Sequence, residues 1–213
     1  MIPEARFNVD RAIRFYVKPA VFAAALAPLA VLGWRIAHDM LGANPVEAVN
    51  RFTGDWALRF VLITLAVTPM RRMTGINSLL RLRRMLGLFA FFYATIHFTS
   101  FVWIDQGFDM DEIIKAVVKR PFITVGFMGF LLLIPLAATS TNGMVRRLGA
   151  RRWQQLHRLV YLIAGLGVLH FFWMVKSDIR EPLLYAAILM FLLGYRIWHR
   201  WHNRLTPLAA PLR

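Results

Sequence analysis

The sequence predicts an all-α integral membrane protein, a six-transmembrane-helix bundle with both termini cytoplasmic. Three observations predict it. The first is apolarity. Of the 213 residues, 58% are hydrophobic and the mean hydropathy is +0.52, against the roughly 45–50% apolar content of soluble domains. The second is arrangement. The apolar residues fall in six runs of roughly 15–20 residues, near the length a helix needs to cross a bilayer. The third is charge order. The segments 1–18, 71–84, 139–152 and 196–213 hold 17 Lys/Arg and two acids, whereas the intervening loops hold six Lys/Arg and nine acids. Lys and Arg accumulate on the cytoplasmic side of membrane proteins, which orients the bundle.

The elements follow in order. Residues 1–18, with Arg6, Arg11, Arg14 and Lys18, read as a cytoplasmic arm. The first span covers about 19–36, with a kink expected at Pro28, which membrane helices tolerate. An acidic loop, 38–55, precedes a short second span, 56–70, whose Arg59 lies within a turn of the end and is expected to snorkel. RRMTGINSLLRLRR, five arginines without an acid, returns the chain to the third span, 85–104. The loop 105–120 is expected to form a short amphipathic helix around 111–118. The fourth span covers 122–138, followed by a basic loop, 139–152. The fifth covers 155–175, then a tight polar turn, the sixth span at 183–198 and a basic tail. The whole chain, 1–213, reads as one membrane domain, with no cleavable signal peptide expected at its start.

Composition narrows function. The net charge of +15 does not indicate nucleic acid, because the charges sit at the ends of apolar runs, where topology accounts for them. Without cysteine there are no disulfides, thiolate ligands or iron–sulfur clusters. No span carries Asp or Glu in its middle, which disfavours a proton pump or antiporter. There is no G-x-G-x-x-G, so no Rossmann-type nicotinamide site is expected. Electrons, if the protein carries them, enter from another protein or from membrane quinol. No internal repeat is evident.

The histidines carry the chemistry. His97 lies in MLGLFAFFYATIHFTSFVWI; His157 and His170 lie in WQQLHRLVYLIAGLGVLHFFW. An isolated histidine in a span commonly bonds a neighbouring helix. Three in two apolar runs, without a carboxylate partner, fit haem better, since imidazoles from two helices hold the iron of membrane b-type cytochromes. Small residues, Gly87, Ala90 and Ala94 before His97 and Ala164, Gly165 and Gly167 before His170, give a porphyrin room, although close helix packing also favours them. Measured from the last cytoplasmic arginine, His97 is 13 residues into its span, His170 is 18 and His157 is 5. At about 1.5 Å per residue, His97 differs in depth from His170 by about 7 Å and from His157 by about 12 Å. His97 and His170 are therefore the better axial pair. On an ideal helix His157 and His170 stand about 20 Å and about 140° apart and cannot share one iron. They can serve two stacked haems if the helix bends near Gly165 and Gly167. His157 then needs another partner, with His199, His202, water or none left open. His38, His199 and His202 flank spans and read as interfacial. Trp34, Trp103, Trp153 and Trp198 read as an aromatic belt.

The arginine clusters Arg71/Arg72, Arg81/Arg83/Arg84, Arg146/Arg147 and Arg151/Arg152 serve topology and anionic lipid first. Some can also grip a phosphate, such as that of a flavin mononucleotide, or dock an acidic reductase.

RRMLGLFAFFYATIH, KRPFITVGF, PLAATSTNGMVRRLG and RRWQQLHRLVYLIAGLGVLHFFWMVKSD resemble the MsrQ (YedZ) family, haem-binding membrane subunits of the periplasmic protein-methionine-sulfoxide reductase system. The resemblance covers nearly the whole chain and extends to the ferric-reductase-like transmembrane superfamily, which includes the NADPH oxidases. It implies haem b, one or two, on His97, His157 and His170, and it implies FMN. It implies a bacterial inner-membrane location. Electrons would come from the quinone pool or a cytosolic flavin reductase and pass to a periplasmic molybdopterin-containing methionine-sulfoxide reductase subunit. Catalysis would then reside in that partner and not in this chain. The oxidases carry two histidines on each of the two helices. Here the position fourteen before His97 is Arg83, so a fourth ligand is missing. Two other readings stand beside this one: a transmembrane ferric reductase acting on its own acceptor, and a non-redox membrane scaffold in which the histidines only pack.

Overall fold

The computed structural model describes residues 9–205, and its ordered secondary structure is entirely helical. The first eight residues of the expected cytoplasmic arm and the last eight of the basic tail lie outside the described residues.

Helix α1, Lys18–Ala37, has Pro19 in its first turn, contains Pro28 and continues a π-type turn, Ile13–Val17, so the expected arm is helical from Val9 onward. A proline inside a helix removes one N–H and weakens the ladder. Just there the Tyr93 hydroxyl enters the helix. It donates to the Ala25 carbonyl at 2.9 Å and accepts from the Leu29 N–H at 3.2 Å, two groups that would otherwise bond each other. Tyr93 is fully buried and pins α1 to the interior.

Helix α2, Pro45–Thr74, is 30 residues long. The Asn44 side chain caps it by accepting from the Glu47 N–H, Pro45 sits at its start, and Gly75 stops it in the left-handed conformation at φ +71°. This conformation strains any residue with a Cβ. More than half of the expected loop 38–55 is therefore helix, because cap and proline at 44 and 45 start it eleven residues before the apolar run. Helix α3, Leu80–Ser100, continues into a wider π-type turn, Phe101–Asp105. It too begins earlier than expected. The expected amphipathic helix is present as α4, Met110–Lys119, capped by the Asp109 carboxylate. Helix α5, Pro121–Ala138, matches its expected bounds closely.

The basic loop expected at 139–152 is mostly helical: α6, Asn142–Leu148, and α7, Ala150–Leu156, joined at Gly149, whose φ is +76°. The expected fifth span is broken. A turn at His157 and Arg158 separates α7 from α8, Leu159–Met174. The helix bends there and not near Gly165 and Gly167, so ideal-helix angles between His157 and His170 do not apply. Helix α9, Arg180–Leu205, runs beyond its expected end at 198.

Two helix pairs organise the bundle. Helices α2 and α3 pack along most of their length, and α5 pairs with α8; α3 also meets α5, and α9 packs on α8 and α2. The core runs through Leu58, Phe60, Leu65, Phe89, Tyr93 and Ala164. Large apolar side chains also cover the outside, among them Phe22, Trp34, Met190, Phe191 and Trp201, as expected where lipid is the solvent. Among the described residues, five helical segments are long and apolar enough to cross a membrane: Val9–Ala37, Asn77–Asp105, Pro121–Ala138, Ala150–Met174 and Arg180–His202. The protein is a multi-pass membrane protein. Helix α2 is more polar, with Glu47, Arg51, Asp55 and Arg59 in its first half, yet it contributes as much of the core as α3 does.

Removing the Tyr93 hydroxyl tests the pin. Tyr93→Phe is expected to cost about 1 kcal/mol, the net worth of one such hydrogen-bonded group, and to lower the midpoint of thermal unfolding in detergent by a few degrees. An unchanged midpoint would show that the Ala25–Leu29 bond simply re-forms.

Candidate functional site

His97 projects from α3 toward α2, and His170 from α8 toward α5. Each ring is held in the same manner. His97 Nδ1 lies 2.9 Å from the Asn50 carbonyl oxygen; His170 Nδ1 lies 2.6 Å from the Phe122 carbonyl oxygen. A carbonyl only accepts, so each Nδ1 carries the ring proton, and in the neutral ring Nε2 keeps its lone pair. Both carbonyls belong to helix residues and use their second lone pair. Access is opened by the residue four places on, which in both cases is glycine. A Cβ on Gly54 would meet the His97 ring at 3.1 Å, and one on Gly126 would meet the His170 ring at 2.7 Å. Donation of the second ring N–H to a carbonyl is how metal-bound histidines are commonly oriented.

The two helix pairs bring these rings together. Their centres are 6.1 Å apart and their planes differ by 72°. Two imidazoles bound to one ion at roughly 2 Å each, with ring centres about 1 Å further back, stand roughly 6 Å apart. Both rings line a cavity of about 720 Å³, within the range of sites that enclose a large organic ligand. Ala94 and Gly167 are on its wall, with Phe98, Phe127 and Phe130. Among the described residues no three His, Cys, Asp or Glu side chains gather around one point. The two histidines therefore present a two-imidazole donor set across one cavity, which would suit a metal carried by a cofactor.

The cavity rim is polar and carries Glu47, Arg51, Asp55, Arg120 and Lys176. Arg51 is paired with Glu47 at 2.9 Å. Asp55, next to Gly54, lies one residue outside the apolar run 56–70. Arg59 does not simply snorkel to water. It donates to the Tyr185 hydroxyl at 2.7 Å, lies over the Trp56 ring and stands 3.9 Å from Asp55.

His157 is not with the other two. It sits at the break before α8, stacked on Trp153 with ring centres 3.9 Å apart. Its Nε2 lies 3.1 Å from the Thr139 hydroxyl, which itself bonds the Pro135 carbonyl at 2.6 Å. Since that hydroxyl proton is committed to Pro135, Nε2 is the donor to Thr139. Trp153 donates to the Thr139 carbonyl and is half-buried, so it belongs to this cluster and not to an aromatic belt. Trp34, Trp103 and Trp198 are exposed near helix ends. His157 lines a second, smaller cavity of about 280 Å³ with Arg83, Arg84, Gly87 and Ala90. His38 bonds the Trp34 carbonyl, while His199 and His202 stack on Tyr195 and Trp198; none lines either cavity.

The small residues thus divide by site. Ala94 and Gly167 face the larger cavity and Gly87 and Ala90 the smaller one, while Ala164 and Gly165 line neither. Sequence reasoning missed Gly54, Gly126, Asn50 and Phe122. No sequence signal marked them: Gly54 lies in the expected loop 38–55, and Gly126 shares its run with Gly129.

Residues 53–168 match the family described as ferric reductase like transmembrane component. The chain is 57% identical over 190 residues to a protein of Herminiimonas arsenicoxydans, covering 88% of this chain and 87% of that one. It is 56% identical over 186 residues to one from Polaromonas naphthalenivorans, covering 86% and 85%. With one from Xanthomonas campestris pv. campestris the identity is 55% over 195 residues, covering 89% of each. All three are named protein-methionine-sulfoxide reductase heme-binding subunit MsrQ.

The glycine cradles make a graded prediction. Gly126→Ala forces the His170 ring off the Phe122 carbonyl and is expected to lower haem content by about tenfold, the upper range for loss of a metal ligand's orienting partner. Gly54→Ala, with its longer approach, is expected to have a smaller effect. Gly165→Ala, whose Cβ would meet nothing within 4 Å, is expected to leave the reduced-minus-oxidised absorption spectrum unchanged. Equal haem content in all three variants would contradict the cradle account.

Proposed function

We propose that this chain, which belongs to the MsrQ family of haem-binding subunits of protein-methionine-sulfoxide reductase and to the wider ferric-reductase-like transmembrane family, carries electrons across the bacterial inner membrane on haem b held by His97 and His170. The observation that carries this reading is the 6.1 Å separation of two imidazoles whose Nδ1 protons are both committed to carbonyls. Haem b, when bound, supplies a one-electron carrier whose potential depends on axial ligands and burial.

The chain's own residues do the rest. Asn50 and Phe122 hold the ring protons on Nδ1 and leave Nε2 of each ring to the cofactor. Gly54 and Gly126 let the rings approach two helices closely. Phe98, Phe127 and Phe130 would shield a porphyrin from water, and Arg120 and Lys176 at the rim would pair with its carboxylates. His157, beside the smaller cavity, is a ligand of a second haem or a relay group nearer the donor.

Helix α2 is the sixth span, and both ends of the chain face the cytoplasm. Its low hydropathy is compatible with spanning because other helices, and not lipid, surround much of it. Electrons enter at the arginine-rich side from quinol or a cytosolic flavin reductase. They leave on the acidic side to a periplasmic molybdopterin-containing subunit that reduces methionine sulfoxide in oxidised proteins. Sulfoxide reduction belongs to that partner. The match to ferric reductases favours a second reading, in which this chain reduces an external acceptor by itself. Reduction of ferric chelates by the purified chain without a partner would support it.

The test is a dithionite-reduced minus oxidised spectrum with haem quantification. His97→Ala and His170→Ala are each expected to lose the low-spin b-type spectrum. His157→Ala is expected to keep it, and its haem-to-protein ratio distinguishes one haem from two. A low-spin spectrum surviving in His97→Ala would overturn the assignment.

A further inference from the structure

At the arginine-rich end, Arg196 of α9 is turned inward. It donates to the Leu65 carbonyl and to the Tyr161 hydroxyl at 3.3 Å. The Leu65 carbonyl is available because its helical partner four residues on is Pro69, which has no N–H. Arg196 therefore closes the gap that Pro69 leaves in α2. Both acceptors are neutral, so its charge is unanswered. Its charged neighbours are Arg72, Arg83 and Arg200. Arg196 Nε and Arg72 Nη1 are buried without a hydrogen-bond partner. Asp10, the one carboxylate at this end among the described residues, is engaged with Arg81 at 3.4 Å. A partly buried guanidinium with like-charged neighbours and unmet buried N–H groups is an arrangement that an anion would relieve.

We propose that Arg72, Arg83, Arg196 and Arg200 form a binding site for the phosphate of an anionic phospholipid in the adjacent leaflet. A phosphate presents several acceptor oxygens and matches the forked donors of arginine. The surroundings favour a lipid over a soluble phosphate. Met70, Met73, Ile197 and Trp201 flank the arginines and are exposed apolar side chains, a surface on which acyl chains can lie. Basic pockets between membrane helices are recognised sites for anionic headgroups. This site is separate from the His97–His170 cavity and does not depend on the electron-transfer reading.

The experiment uses the purified full-length protein with whatever haem it carries, in a neutral detergent. Thermal unfolding is followed with added phosphatidylglycerol, phosphatidylcholine or inorganic phosphate, and native mass spectrometry counts retained lipid. Phosphatidylglycerol is expected to raise the midpoint by several degrees and to stay bound, with phosphatidylcholine and inorganic phosphate doing neither. Arg72→Gln/Arg200→Gln is expected to abolish both effects, and Arg146→Gln/Arg147→Gln, a basic pair elsewhere, to retain them. An unchanged haem spectrum in the Arg72/Arg200 variant shows that it folds. Equal stabilisation by phosphatidylcholine, or full retention of phosphatidylglycerol by that variant, would overturn the site. Stabilisation by inorganic phosphate alone would overturn the lipid as its occupant.

Discussion

The arrangement depends on two hydrogen bonds from imidazole to helix carbonyl, His97 to Asn50 and His170 to Phe122. Each joins one helix of a packed pair to the other, α3 to α2 and α8 to α5. Each also requires a glycine one turn beyond the carbonyl. The bonds do two jobs at once. They satisfy a polar side chain in an apolar surrounding, where an unpaired N–H is costly, and they decide which ring nitrogen is left to bind metal. Neither histidine needs a carboxylate for this. Asp55 lines the same cavity, yet it is the backbone that accepts from both rings.

The rest of the bundle repeats this economy. Prolines open helix ladders, and side chains from other helices answer them. Tyr93 enters α1 next to Pro28, and Arg196 takes the carbonyl freed by Pro69. Both link distant parts of the chain through groups that a helix normally satisfies by itself. Packing alone distinguishes poorly among helix positions in lipid, so such polar links help specify one register. Charge is separated along the same axis, with arginines at one end and carboxylates at the other, and the larger cavity opens toward the acidic end.

Much of the fold was legible in the sequence, for physical reasons. The bounds of α4 follow from its Asp109 cap, and those of α5 from Pro121 and an apolar run. Helix α2 was cut short because Glu47, Arg51 and Asp55 look like loop residues when lipid is the assumed surrounding. Arg59 was read as snorkelling because Tyr185, which accepts from it, is 126 residues away along the chain. The break at His157 was missed because QQLHRLVY has no glycine or proline to mark it. Depth counting put His97 and His170 near one level, and their rings do stand together. The cradles were beyond reach, since Gly54 and Gly126 matter only through histidines 43 and 44 residues away along the chain.

The measurement that bears most directly on the central claim is electron paramagnetic resonance of the oxidised, purified protein. Two imidazoles on one ferric ion with planes 72° apart predict a low-spin signal of the highly anisotropic kind, since nearly perpendicular axial ligands leave the iron orbitals close in energy. A high-spin axial signal as the main species would mean that one of the two histidines is not a ligand. That result would contradict the account.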